Sequence, residues 1–341
     1  MEGIPNLGIV GNISEEQKEQ RRAEYQNKLG DGHLEGFDAD LALEIQRSEI
    51  PKTENQRNII TSINEITNGM MLEAGVHPYH LPEANFHMLP KEVYSRIVRK
   101  ETVAGNADYR RQAIFMNESL MNGSDIVFAE TAFHELLHLK GKLVVEVNED
   151  EDGKLRETLY RKGVNVRSVQ EKLAREANNE SFNGLHEAVV VEETMRRFDQ
   201  IVSDPLFKDE LDRLHSERFE KIRKVTAEKK GYKEDEIYWI SEDGRRALVF
   251  PYPEYRGVYD YLKEQIADEH ADDGLSEEEI SKEFLKSHFT GHLVTIAKYT
   301  EKTFGQGSFR LLGMMKSRES ALQVMEWLTK ARIRTKKSHD F

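Results

Sequence analysis

The stretch Glu130–Gly141, ETAFHELLHLKG, places His134-Glu135-x-x-His138 inside a run whose apolar residues recur at helical spacing. In an α-helix, positions i and i+4 share a face with Cβ atoms roughly 5–6 Å apart, so His134 and His138 can chelate one ion. Ile126, Ala129, Phe133, Leu136 and Leu137 predict the buried stripe of that helix. Ser124 or Asp125 serves as its cap, and Gly141 sits just past its end. Zinc suits such a pair, because two imidazoles and a carboxylate leave a fourth position open to water. Zinc lowers the pKa of that water to about 7, and Glu135, next to the first ligand, is placed to take its proton during attack on a carbonyl. The same letters also describe two histidines on the exposed side of an amphipathic helix, with Glu135 in a salt bridge to a nearby Lys or Arg.

Composition narrows the chemistry around that stretch. The 341 residues include no cysteine, so any metal must be held by nitrogen and oxygen, and disulfides and thiol nucleophiles are excluded. A net charge of −13 repels phosphate backbones and argues against nucleic acid as a partner. No window approaches the roughly 18 apolar residues of a membrane span, so no membrane partner is expected. The opening residues MEGIPNLGIVGNISEEQKEQRR lack a basic segment followed by a long apolar run. The expectation is a cytoplasmic protein whose oligomeric state the sequence leaves open.

The pattern along the chain predicts an α+β fold, a small sheet in the first half leading into a mostly helical second half. Residues 1–53 read as a charged arm, solvated or partly disordered, since 13–29 offer almost no apolar stripe. Residues 54–200 read as the metal-binding region and 201–341 as a helical region completing the catalytic domain. Within the first part, a helix is expected over Glu54–Ala74 and strands over Asn85–Pro90 and Arg110–Ser119. A hairpin is expected from Lys142 to Tyr160 around an Asp152-Gly153 turn. The turn imitates the start of a calcium loop, but its twelfth position is Leu159 where a bidentate Glu is needed. Helices are expected over Val169–Asn178, Gly184–Val202, Asp209–Lys230, Tyr255–Asp268, Ser276–Phe304 and Arg318–Arg332, with Arg245–Pro253 extended.

A third metal ligand is still needed. HELLHLKGKLV, His134 to Val144, follows the longer motif His-Glu-x-x-His-x-x-Gly-x-x-His as far as Gly141, then puts Val144 where the last ligand would stand. The remaining common solution is a Glu from a second helix. SFNGLHEAVVVEETMRRF, Ser181 to Phe198, offers one, although an ordinary amphipathic helix reads the same way. Its Leu-His-Glu-Ala-Val resembles the Asn-Glu-Ala segment of gluzincins, the thermolysin-like zinc metallopeptidases. The resemblance covers Arg110 to Phe198, about a quarter of the chain. It implies a zincin-like sheet with an active-site helix, and one zinc per chain on His134, His138 and Glu187. It also implies Glu135 as general base and hydrolysis of peptide bonds in a peptide or protein substrate.

Two positions depart from the family pattern. His186 stands where Asn is usual and neighbours the expected ligand, where it could compete. Val191 stands where an acid orients a ligand histidine, so Glu192, Glu193 or another residue would have to substitute. Zinc peptidases usually also supply a Tyr, His or Arg donor to the oxyanion. Similar Tyr-x-x-x-Arg segments follow the third ligand in some gluzincin-like bacterial proteins, which makes Tyr252 in FPYPEYRGVYDYL the first choice, ahead of Tyr160 and His292. Arg256 and Arg310 read as surface or salt-bridge residues. The strand Gln112–Asn117 either takes substrate backbone along its edge or is a strand buried on both edges. The alternative to a peptidase is a non-proteolytic regulatory or interaction protein that keeps the metallopeptidase fold and binds through Asp199–Phe341. A zinc hydrolase acting on a non-peptide amide is a third reading.

Overall fold

A computed structural model of the chain describes residues 6–30, 34–98, 102–167 and 180–339. In chain order the first half forms β1 (Leu7–Val10), α1 (Glu15–Asn27), α2 (Ala39–Ser48), α3 (Glu54–Glu73), β2 (Phe86–Leu89), α4 (Lys91–Ile97), β3 (Gly105–Asp108), β4 (Ala113–Asn117) and α5 (Glu118–Met121). Then come α6 (Asp125–Lys140), β5 (Leu143–Glu149), β6 (Leu155–Lys162), β7 (Asn165–Arg167), β8 (Glu180–Ser181) and α7 (Asn183–Ile201). The rest is α8 (Lys208–Leu214), α9 (Glu217–Lys230), β9 (Ile237–Ile240), β10 (Ala247–Val249), α10 (Pro253–Glu269), α11 (Glu277–Thr290), α12 (Val294–Phe304), α13 (Ser308–Leu312) and α14 (Arg318–His339). The class is α+β.

Helix α6 is the axis of the first core. Ser124 Oγ accepts the Val127 N–H at its start, and every residue from Ile126 to Lys140 is buried. The expected stripe is therefore one face of a helix enclosed on all sides by α3, β3, β4 and α7. Fully burying side chains such as Phe128, Phe133 and Leu136 stabilises the fold by about 1.5–3 kcal/mol each. Helix α3 begins in a capping box between Thr53 and Gln56 and buries Ile59, Ile60, Ile63, Met70 and Met71 in the same core. Gly75, at φ +75°, closes it as expected. Helix α7 joins two cores: Val190 and Val191 face the first, while Leu185, Ala188 and Val189 pack with Tyr259, Phe284 and Ile296 of the C-terminal helices.

Among the described residues, three sheets surround this frame. The one beside α6 has the order β2-β4-β3, with β4 parallel to β2 and antiparallel to β3. Of the two readings of Gln112–Asn117, this order bears out the strand covered on both edges and corrects the one that offers an edge to substrate. Strand β4 is central, and the free edge belongs to β3, whose letters GNAD carry no apolar alternation. The expected hairpin forms as β5 and β6, inside a second sheet of order β1-β5-β6-β7-β8.

The stretch expected to be a solvated arm contains folded elements. Strand β1 pairs in parallel with β5, and α1 starts in a Ser14–Gln17 capping box and buries Tyr25. Asn6 Nδ2 donates to the Lys140 carbonyl at the end of α6, and Asn12 exchanges two hydrogen bonds with Asn148 and Glu149. Gly11 at φ +120° is required there, since a Cβ would lie 1.9 Å from the Val147 carbonyl oxygen.

Helices expected as single rods are broken. Asp209–Lys230 divides into α8 and α9 at the extended Ser216, and Ser276–Phe304 into α11 and α12 after the left-handed Gly291. The helix expected over Val169–Asn178 lies outside the described residues. Among the described residues no helix is long and apolar enough to cross a membrane.

Candidate metal centre

One turn apart on α6, His134 and His138 face the first turn of α7, which supplies Glu187. His138 Nε2 lies 3.1 Å from His134 Nε2 and 3.3 Å from Glu187 Oε2, and His134 Nε2 lies 3.8 Å from the same oxygen. A tetrahedral ion with bonds of 2.0–2.1 Å has ligand–ligand edges of about 3.3 Å. Two imidazole nitrogens and one carboxylate oxygen thus stand near the spacing that zinc requires. Among the described residues this is the group of His, Asp and Glu side chains that converges in this way.

Charge couples the three side chains. Burial, then His138, keeps His134 down at about 3. Burial disfavours the charged forms of both His138 and Glu187, but each stabilises the other's charge, so His138 is raised and Glu187 held below its usual range. A metal cation in place of the His138 proton would meet the same carboxylate.

Glu135 stands outside this trio. Its Oε2 accepts the Ala107 N–H at 2.8 Å, which ties the carboxylate to the free edge of β3. Burial pushes its carboxyl up to about 7. The strand approaches α6 this closely because residue 105 is Gly: a Cβ there would lie 2.7 Å from Glu135 Cγ and 2.7 Å from Thr131 Cγ2. The trio and Glu135 floor a cleft of about 440 Å³, walled by Val98, Val103, Tyr109, Lys162, Tyr252 and Tyr255 among others.

Tyr252 enters the cleft from the start of α10 in a left-handed conformation, φ 58° and ψ 49°, which costs a non-glycine residue about 1–2 kcal/mol. It is 42% exposed and stacks on Tyr255 at 5.4 Å. The negative charge of Glu187, then burial, raises its hydroxyl well above the ordinary tyrosine range, so it is a donor. Tyr160 and His292 are not part of the cleft lining. Arg256 is buried in an ion pair with Glu236, at 2.9 Å, as a salt-bridge reading expects, and Arg310 is exposed.

No family model, no curated protein and no solved structure matches this chain. The site therefore stands on its own geometry.

Glu192 pairs with Lys263 at 2.7 Å and Glu193 with Arg196 at 3.4 Å, so neither replaces the acid missing at the buried Val191. His186 does not compete for the ion position: its Nε2 points at His138 Nδ1, 2.8 Å away, on the far side of that ring from Glu187. Lys162 on the cleft wall had no signal in the sequence beyond its place near the end of the hairpin.

Proposed function

We propose that the chain is a zinc-dependent peptidase of gluzincin type, built on a zincin-like arrangement of edge strand, active-site helix and ligand-bearing second helix. The observation that carries this reading is the convergence of His134 Nε2, His138 Nε2 and Glu187 Oε2 beside a buried carboxylate, Glu135, that stands outside the trio. One zinc per chain on that trio would supply Lewis acidity, polarising a carbonyl and making water a stronger acid.

The chain's own groups do the rest. Glu135 takes the proton of the attacking water and delivers it to the departing amine nitrogen. The Tyr252 hydroxyl donates to the oxygen on which negative charge develops. The free edge of β3 receives the substrate backbone as an added strand, with the Ala107 N–H already engaged by Glu135. The substrate class is a peptide or protein in extended form.

Glu135→Gln tests the reading. Glutamine preserves size and the acceptor for Ala107 but cannot take a proton, so the variant should fold, keep its zinc and lose peptide-library cleavage by at least roughly 10²–10⁴-fold. Chelation should abolish the wild-type activity. Equal cleavage by variant and wild type overturns the mechanism. A zinc-loaded wild type that cleaves no peptide points instead to the interaction protein that keeps a metallopeptidase fold.

A further inference from the structure

Each ligand histidine has a second ring nitrogen, and its partner fixes which way the ring turns and which nitrogen is bare. That partner is ordinarily a carboxylate, a backbone carbonyl or a water. For His138 it is another imidazole, His186 Nε2, at 2.8 Å. A nitrogen–nitrogen hydrogen bond needs one donor and one acceptor. With a metal on His138 Nε2, the neutral ring would carry its proton on Nδ1, and His186 Nε2 would have to accept it. Tyr109 Oη lies 3.4 Å from the same Nε2.

The far side of His186 is built to hold it. Its ring stacks on His288 at 5.2 Å and 21°. His288 is anchored in turn, because its Nε2 donates to the Leu137 carbonyl, one residue before His138. Gly163, at φ +56°, closes the remaining gap: a Cβ there would fall 2.6 Å from His288 Nδ1 and 2.7 Å from His186 Cε1. The His186 ring is thus clamped between an imidazole and a backbone, with one nitrogen presented to His138.

We infer that His186 is a positioning residue of the metal site proposed above, an imidazole in the place of a carboxylate, which accepts the His138 Nδ1 proton and leaves His138 Nε2 bare toward Glu187. The inference rests on that metal-site reading. A neutral acceptor adds no charge to the site.

The test uses the full chain and Zn²⁺ as the probe, with affinity measured by competition against a chelating dye. His186→Phe keeps a ring but removes the acceptor, and should weaken Zn²⁺ binding roughly 10–100-fold, the cost typical of losing an outer partner. His186→Gln carries an amide oxygen near the position of Nε2 and should restore most of the affinity, which a purely space-filling role would not give. If His186→Phe fails to fold, ¹⁵N-imidazole spectra of the Zn²⁺-loaded, histidine-labelled wild type decide, with His138 protonated on Nδ1 and His186 bare on Nε2. Wild-type affinity in a folded His186→Phe, or a bare His138 Nδ1, overturns this inference and leaves the metal site standing. A wild type that binds no Zn²⁺ overturns both.

Discussion

Helices α6 and α7 meet at the candidate metal centre and differ in how they are surrounded. On α6 every residue from Ile126 to Lys140 is buried, so each polar group there must find a partner or cost the fold the price of desolvation. Lys140 donates to Thr67 and Asn68 at 2.7 Å each, Glu130 receives the Tyr238 hydroxyl, and Glu135 receives the Ala107 amide. Helix α7 is less enclosed, with Arg196, Asp199 and Gln200 exposed, and Arg197 reaches Glu73 at 3.3 Å as an ordinary surface pair. A polar residue on α6 is therefore a strong sign of function or of a dedicated partner. The same residue type on α7 is uninformative until its position along the helix is known.

The largest effect expected is the one that separates Glu187 from the acids that follow it. Glu187→Ala should lower Zn²⁺ affinity by more than the roughly 10–100-fold of an outer partner. Glu192→Ala and Glu193→Ala should leave it unchanged, because those carboxylates are engaged by Lys263 and Arg196. Chelator competition on the three variants checks the ranking, and equal losses would erase the distinction drawn here.

A second test addresses burial on α6. Burial pushes the Glu130 carboxyl up to about 7, against the Tyr238 and Thr131 hydroxyls and with help from the charge of Glu135. A raised acid favours the folded state below its unfolded pKa of 4.5, and that contribution is lost as pH rises through about 7. Glu130→Gln has no charge to bury. Relative to wild type it should gain little at pH 4 and on the order of 3 kcal/mol at pH 8, read by urea denaturation at both. A difference independent of pH would mean that Glu130 is solvated.

How far the sequence is legible follows the same division. The His-Glu-x-x-His run, the hairpin and α3 carry strong periodic or turn signals, and the structure forms all three. Glu187 is readable only through the resemblance of its neighbours, and the structure brings it to the histidines. Strand β3 is invisible because its four residues pair as a short edge and need a glycine for close approach, not an apolar alternation. The breaks at Ser216 and Gly291 interrupt runs that are helical in composition on both sides. The role of His186 depends on which way a ring turns, which no spacing encodes.

The smallest effect concerns the seating of β3. Gly105→Ala should destabilise the fold by about 1–3 kcal/mol, because the added methyl must displace Glu135 or Thr131. Chemical denaturation measures it, and a neutral substitution would mean that the strand is not pressed against α6.

Strand β1 has a practical consequence for anyone shortening this chain. Its charged surroundings invite removal as a tail, yet it covers the outer edge of β5, the strand that leaves α6 directly. A truncation starting at residue 13 would strip that cover and bare a row of unpaired amides beside Leu143, Val145 and Val147. An uncovered edge of that kind is a template for pairing with another chain. The shortened protein would self-associate and precipitate, and the loss of yield would be mistaken for a fault in the candidate metal centre on α6, the helix that leads into β5.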